Sequence, residues 1–438
     1  MRVYKPSGIK WLGEIPQSWE VVKGDFVFSN KKELNSNLQC QERLALTLNG
    51  VIEKDINQND GLNPMDFSTY QIFEKNDLVF KLIDLDNVNT SRVGYVYKKG
   101  IMSSAYIRLI IGKKSYAKFF YYYYFSLYIN QVFNNLGTGV RATLNPDELL
   151  AIKIPLPPLQ EQKEIAEFLD SKCEKIQNYI DKKQKLITLL QEKKQALINE
   201  AVTKGLNPNI ESKNSGIEYL GLIPHHWEVK KLKYVGKVVL GKMLCNEHQK
   251  GYSHCYYLKS KNLQWLNVEV SQIEKMWFSE YEKSLYRIKK DDLLVSEGGE
   301  VGKTCIWNNE LAECYIQNSV HKITLNKFNN AKFFLYLFFT YGKLGVFDSV
   351  VSRVSIAHLV LEKLVNVDMV VPPLQEQKQI ANFLDEKCEK INSAIEKTKR
   401  QIKLIKEYKN TLINEAVCGR VACSRDFSPT AQNDKKKN

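Results

Sequence analysis

The chain has 438 residues, of which 63 are basic and 49 acidic, so its formal net charge at pH 7 is +14. This length allows about two to four domains, and the 44% hydrophobic content excludes a wholly disordered chain. The positive excess indicates a polyanionic partner, and because no stretch of about 18 apolar residues is present, we expect nucleic acid rather than a membrane.

The first predicted element is the block SGIKWLGEIPQSWEVVK at residues 7–23, which returns as SGIEYLGLIPHHWEVKK at residues 215–231. A second block, PPLQEQKEIAEFLDSKCEKI at residues 157–176, returns as PPLQEQKQIANFLDEKCEKI at residues 372–391. Matches of this length exclude coincidence, so the chain carries an internal repeat. We expect the repeated Trp19 and Trp227 to be core anchors rather than platforms for base stacking.

A variable region of about 155 residues lies before each second block. Its apolar runs predict strands at residues 92–97, 105–111, 303–307 and 319–325, and its aromatic-rich runs predict helices at residues 116–136 and 331–347. Each variable region is therefore predicted to fold as an α+β globule.

The second block of each copy begins a long helix, because its Pro-Pro pair can start a helix but could not lie inside one. A 4-3 spacing of apolar residues then continues for nearly five heptads, as a coiled-coil seam requires. Gly205 and Gly419 follow the two patterns as helix stops. The predicted seam residues are Leu169, Ile176, Ile180, Ile187, Leu190, Leu197, Leu384, Ile391, Ile395, Ile402, Ile405 and Leu412.

Two helices of this length must bury their seams against a partner. The partner could be a second copy of the chain, but the equal lengths of the seams favour an intramolecular pair, and the globule between them can return the chain to make that pair antiparallel. Lys183, Lys194 and Lys409 interrupt the seams and could fix the register. The predicted fold is thus α+β, with two tandem globules, an antiparallel coiled coil and pseudo-twofold symmetry.

These elements predict the following division of the chain. The first globule covers residues 1–156, the central helix 157–204, a linker 205–214, the second globule 215–371, the C-terminal helix 372–421 and a disordered basic tail 422–438.

Motifs of catalysis, cofactor binding and metal binding are absent from the sequence. The segment Gly298–Thr304 resembles a phosphate-binding loop, but Glu297 stands where its first glycine is required, so we predict a turn between strands. The nine cysteines contain no Cys-x-x-Cys pair and are interpreted as free thiols in a reducing cytoplasm. We therefore predict no catalytic, cofactor-binding or metal-binding residue in this chain.

The paired entry blocks, the paired helix starts and the two variable regions resemble the specificity subunit of Type I restriction–modification systems, over roughly residues 7–421. The resemblance implies that each globule is a target recognition domain that binds one half of a bipartite site in double-stranded DNA. It also implies that the coiled coil sets the spacing of the half-sites, that two methyltransferase subunits dock on it, and that restriction subunits translocate and cleave DNA. S-adenosylmethionine, ATP and Mg would then be bound by those partner subunits, and the complex would be cytoplasmic.

Candidate DNA contacts are cations in loops of the variable regions. Arg141 and Arg353 occupy equivalent polar connections, whereas Arg92 and Lys303 follow turn-like segments, where a cation can reach phosphate or guanine. Further candidates are Lys242, Lys259 and Lys261. Two other classes of function stay open: a coiled-coil adaptor without DNA specificity, and a single-chain DNA methyltransferase or nuclease.

Overall fold

The structure is a computed structural model that describes residues 2–55, 67–83, 85, 92–112, 114–137, 143–350 and 358–421. The chain divides into two compact units, of which the first contains residues 1–183 and 400–438 and the second contains residues 184–399. Both units contain helices and sheets, which confirms the predicted α+β class. The predicted tail at 422–438 lies outside the described residues.

The first unit contains twelve described strands and the start of a long helix. Its strands are β1 (Tyr4–Pro6), β2 (Glu14–Pro16), β3 (Glu20–Lys23), β4 (Phe28–Ser29), β5 (Arg43–Thr47), β6 (Gly50–Lys54), β7 (Gln71–Phe73), β8 (Leu78–Phe80), β9 (Val93–Tyr95), β10 (Gly100–Met102), β11 (Ile107–Ile111) and β12 (Lys153–Leu156). Its helices are α1 (Ala117–Ile129), α2 (Val132–Leu136), α3 (Pro146–Ala151), the first part of α4 (Leu159–Lys204) and the last part of α10 (Leu374–Val417).

The second unit contains the remaining described elements. Its strands are β13 (Ser212–Asn214), β14 (Leu222–Pro224), β15 (Glu228–Lys231), β16 (Gly236–Leu240), β17 (Ser253–Leu258), β18 (Leu263–Gln264), β19 (Asn267–Val268), β20 (Glu274–Phe278), β21 (Leu293–Ser296), β22 (Thr304–Ile306), β23 (Tyr315–Ile316), β24 (Val320–Leu325) and β25 (Asp368–Val371). Its helices are α5 (Leu232–Val235), α6 (Glu280–Tyr286), α7 (Ala331–Lys343), α8 (Val346–Val350), α9 (Leu361–Leu364) and parts of α4 and of α10 (Leu374–Val417).

The two units repeat one topology. A sheet of order β4-β11-β8-β9 in the first unit corresponds to β16-β24-β21-β22 in the second, and each is accompanied by a second sheet with one parallel pair, β5–β10 or β17–β23. The ribbon β3–β12 corresponds to β15–β25, in which Glu20 faces Leu156 and Glu228 faces Val371. The internal repeat of the sequence is thus an internal repeat of structure.

The repeated tryptophans are core residues, as predicted. Trp19 and Trp227 are fully buried, and their rings meet Phe119 and Phe333 edge-on at centroid distances of 6.0 and 6.3 Å. In the first unit the indole Nε1 of Trp19 donates to Glu161 Oε2 at 2.9 Å. The first helical turn of α4 is thereby joined to the block that opens the chain.

The aromatic-rich helices are shorter than the sequence predicts, because each is interrupted at a residue with positive φ. Gln131 has φ +56° and separates α1 from α2, whereas Gly345 has φ +72° and separates α7 from α8. A left-handed residue cannot continue a right-handed helix, so each aromatic run contains two helices.

The burial of α4 and α10 follows the predicted seam spacing. Between residues 174 and 197 the buried or half-buried positions of α4 are the seam positions alone, and every seam position of α10 from Leu384 to Ala416 is buried or half-buried. In the second unit Lys194 donates to Asn392 Oδ1 at 2.9 Å, so a seam lysine joins the two helices.

Each unit holds the start of one long helix and the end of the other. The second unit contains the end of α4 and the start of α10, where Ile198, Ile380 and Leu384 share one core. The first unit contains the start of α4 and the end of α10, where Asn414 Oδ1 accepts from Ser126 of α1. Within each unit the two helix segments therefore belong to one fold, as an antiparallel pair requires.

Candidate nucleic-acid interface

Two of the predicted DNA contacts cannot be placed. Arg141 and Arg353, together with the turn at residues 86–91, lie outside the described residues. Their contact with DNA stays a prediction. The other five candidate cations are described, and each has a protein partner in its own unit.

Arg92 is buried in the first unit, with 2% of its surface exposed. Its Nη1 donates to the carbonyl oxygen of Ile83 at 3.1 Å and lies 3.4 Å from that of Lys81. These bonds hold the chain that follows β8 against the start of β9. Arg92 therefore has a structural role in the first unit. A direct DNA contact would require its guanidinium to leave these carbonyl partners.

Lys242 is also buried. Its Nζ donates to the carbonyl of Trp277 at 2.9 Å and to Glu282 Oε2 at 2.6 Å, and it lies 4.8 Å from the ring centroid of Tyr252. Hydrogen bonds from Lys242 and Ser279 lower the pKa of Glu282 although its partial burial opposes this. Lys242 therefore joins β20 to the start of α6.

Lys259 and Lys261 share one carboxylate. Glu274 Oε1 accepts from Lys259 Nζ at 2.6 Å and from Lys261 Nζ at 2.9 Å, and Tyr257 donates to Oε2 of the same group. These hydrogen bonds, led by Lys259, lower the pKa of Glu274 to about 2. Both lysines lie at the surface, where DNA phosphate could compete with Glu274 for them.

Lys303 lies at the end of the glycine-rich turn, and its Nζ is 2.9 Å from Glu300 Oε2. The turn connects β21 to β22, which pair antiparallel from Leu293–Ile306 to Val295–Thr304. The prediction of a turn between strands is thus confirmed. The carboxylate of Glu300 also accepts from the indole of Trp265, so Lys303 belongs to a network at the surface of the second unit.

Sequence reasoning did not identify the outer face of β17 and β20. His254 and Tyr256 on β17 lie opposite Trp277 and Lys275 on β20. All four are exposed or half-buried, whereas the residues between them face a small core. The alternation in SHCYYL and EKMWF is the signal that could have indicated a face with aromatic and basic side chains.

Two further properties concern only the described residues. They contain no group of three or more His, Cys, Asp or Glu side chains arranged to hold a metal ion. No helix among them is long and apolar enough to cross a membrane.

Comparison with known proteins identifies the class. Residues 17–190 and 224–404 match a family described as Type I restriction modification DNA specificity domain. A Type I restriction enzyme MjaVIII specificity subunit from Methanocaldococcus jannaschii is 25% identical over 455 residues, which covers 96% of this chain and 97% of the relative. The Type I restriction enzyme EcoBI specificity subunit from Escherichia coli is 29% identical over 136 residues, or 31% of this chain and 28% of the relative.

Solved structures show the same fold. A chain from a structure concerned with complex assembly and conformational transition of the type I R-M system matches with a TM-score of 0.69 at 14% identity, covering 93% of this chain and 99% of that one. The HsdS subunit from Thermoanaerobacter tengcongensis matches with a TM-score of 0.51 at 15% identity, covering 93% and 98%.

Both halves of the chain therefore carry the same kind of DNA specificity domain. The chain belongs to this family, and it is a Type I restriction enzyme specificity subunit with two tandem DNA specificity domains. The resemblance predicted from the repeated blocks is confirmed, and the two other classes of function are not supported.

Proposed function

We propose that each specificity domain binds one half of a bipartite DNA target, and that α4 and α10 set the spacing between the two halves. The observation that carries the proposal is the duplication. Both domains have a corresponding four-stranded sheet and a corresponding two-stranded ribbon, and both receive the start of one long helix and the end of the other. Two copies of one binding fold on one chain suit a target of two separate half-sites.

Equivalent hydrogen bonds of a glutamine side chain occur at the starts of both long helices. In the first unit the side chain of Gln162 accepts from Tyr116 N at 2.9 Å and donates to Pro157 O at 2.8 Å. In the second unit Gln377 accepts from Asn330 N at 2.7 Å and donates to Pro372 O at 2.8 Å. In each unit a buried glutamine thus joins the start of the aromatic-rich helix to the start of a long helix. This repetition supports a scaffold that holds two reading domains in the same manner.

The chemistry of modification would belong to partner subunits. Two methyltransferase subunits with S-adenosylmethionine would modify adenine, and restriction subunits with ATP and Mg would translocate and cleave DNA, in the cytoplasm. The repeat supports two equal docking positions, because one partner surface could recognise the same helix face twice. The specificity subunit itself would contribute no catalytic residue and bind neither a cofactor nor a metal.

The proposal is tested by producing the full chain with its methyltransferase partners in a host without adenine methylation, and by locating modified adenines through single-molecule sequencing. We expect one bipartite motif with a fixed spacer. A single contiguous motif, or modification without sequence preference, would overturn the proposal. Incubation of the purified chain alone with DNA and labelled S-adenosylmethionine should give no methyl transfer, and transfer would show that the chain is itself a methyltransferase.

A further inference from the structure

The strands β17 and β20 form a ribbon whose first half is only two strands wide. They pair antiparallel from Ser253–Phe278 to Tyr257–Glu274, whereas β23 joins β17 only at Tyr257 and Leu258. Because side chains of a strand alternate between its two faces, the inward residues Met276 and Phe278 pack in a small core. The opposite face of this half of the ribbon is open to solvent in part, and we call it the ribbon face, comprising His254, Tyr256, Lys275 and Trp277.

The side chains of the ribbon face are ordered by contacts with one another. Lys275 Nζ lies 4.4 Å from the ring centroid of Tyr256, a residue that is 40% exposed. The His254 ring stacks on Trp277 at 4.7 Å and 26°, and the exposed His248 meets the same indole edge-on at 4.6 Å. The contacts hold the rings of His254, Tyr256 and Trp277 and the Lys275 cation together on one face of the paired strands.

The charge of Lys275 is not matched by a carboxylate. Glu274, its neighbour on β20, is occupied by Lys259 and Lys261, and Glu282 is occupied by Lys242. Among the described residues Lys275 forms no ion pair, and its ammonium group lies over the Tyr256 ring. The positive charge of Lys275 therefore remains on the ribbon face, because the neighbouring carboxylates are already paired with other lysines.

We propose that the ribbon face enters the major groove and contacts base edges in the half-site bound by the second domain. This inference rests on the proposed function, in which that domain binds one half of the target. A two-stranded ribbon is narrow enough for the major groove of B-DNA, where each base pair has its own pattern of donors, acceptors and methyl groups. Lys275 can donate to the O6 and N7 atoms of guanine, and Tyr256 can contact a thymine methyl group.

Trp277 contacts the segment that precedes β17. Trp277 lies between His248 and His254, and its backbone N donates to the carbonyl of Cys245 at 3.0 Å. The segment before β17 is thereby fixed beside β20, and it carries Met243, which is 75% exposed. The exposed Met243 therefore belongs to a segment that the backbone of Trp277 holds beside β20.

The test compares two lysine–aromatic pairs of the second unit. The variant Tyr256→Ala/Lys275→Gln removes the pair on the ribbon face. The control Lys327→Gln/Phe328→Ala removes another exposed pair, in which Lys327 Nζ lies 5.2 Å from the Phe328 ring centroid. Each full chain is assembled with its methyltransferase partners. The probes are three duplexes. One carries the intact motif located by sequencing, one has the half bound by the second domain scrambled (the second half), and one has the half bound by the first domain scrambled (the first half).

The readout is the ratio of Kd values between a scrambled and an intact duplex. For Tyr256→Ala/Lys275→Gln we expect discrimination of the second half to fall at least 10-fold while discrimination of the first half stays within twofold of the wild type. The control should keep both ratios. Retention of the first ratio shows that the variant complex is assembled, and a urea unfolding transition like that of the wild type shows that its second domain is folded. An unchanged second ratio would overturn the inference and leave the proposed function standing. Failure of the wild type to discriminate either half would overturn the proposed function itself.

Discussion

The Nε atom of Arg108 donates to Asp77 Oδ2 across 2.6 Å, and both side chains are almost wholly buried in the first unit. The second unit places Lys322 and Asp292 at the matching positions, since Arg108 faces Val79 of β8 and Lys322 faces Leu294 of β21. There the lysine donates to the carbonyls of two residues, Leu285 and Arg287. The buried acid and the buried base are thus kept in both copies, although their hydrogen bonds differ.

Removal of one member of the buried pair should destabilise the first unit. Arg108→Met leaves the Asp77 carboxylate, whose pKa burial already raises, without its guanidinium, and we expect a loss of about 3–5 kcal/mol. The double variant Arg108→Met/Asp77→Leu should recover much of this loss, because no charge is then left unpaired. Urea unfolding of the full chain measures both effects. Strictly additive losses in the double variant would show that the pair is not coupled.

The end of α10 should be sensitive to a single methyl group. Gly419 has φ +70°, and a Cβ there would lie 2.5 Å from Pro16 Cγ and 2.9 Å from Trp19 Cζ2. Gly8 has a similar φ of +68° but open space around the added atom. We expect Gly419→Ala to cost about 1–3 kcal/mol more than Gly8→Ala, because only the former adds a clash to the backbone strain. Equal urea midpoints for the two variants would contradict this packing.

His321 should make the second unit less stable in acid. The side chain is fully buried, its Nε2 lies 2.6 Å from the carbonyl oxygen of Leu359, and burial lowers its pKa below the ordinary value. Because the unfolded chain binds the proton near pH 6.5 and the folded chain does not, the free energy of unfolding should fall as the pH drops below about 6.5, by at most about 1.4 kcal/mol per pH unit.

The measurement is the urea midpoint between pH 7.5 and 5.5 for the wild type and for His321→Gln. The variant should lose part of the pH dependence, while the exposed control His225→Gln should keep it. A pH dependence identical in the wild type and in His321→Gln would show that this imidazole does not carry the effect.

The sequence predicts those parts of this protein that depend on local spacing. Between residues 174 and 197 the 4-3 pattern marks the buried and half-buried positions of α4, because helical periodicity alone decides which side faces a partner. The structural role of Arg92 could not be predicted in the same way, because only the tertiary fold brings its guanidinium close to the backbone carbonyls that it contacts. Tyr256 and Lys275 lie on β17 and β20, which pair with each other although β18 and β19 separate them along the chain. Their contact therefore depends on a strand register that the sequence alone does not determine.

Shortening both long helices should shorten the spacer of the DNA target. Deletion of residues 184–190 and 399–405 removes one heptad from equivalent parts of α4 and α10 and preserves the seam spacing. One heptad corresponds to about 10 Å of helix, or about three base pairs. Sequencing of modified adenines should show unchanged half-sites with a spacer shorter by about three base pairs. A stable variant that keeps the original spacer would refute the role of the helices in spacing.

The most direct test of the central claim is replacement of residues 24–155 by the corresponding region of another specificity subunit, with the partner methyltransferase subunits unchanged. The account predicts that single-molecule sequencing of modified adenines will show one half of the target altered and the other half retained. An unaltered target, or the loss of both halves in a complex that still assembles and methylates DNA, would contradict the claim that each domain binds its own half-site.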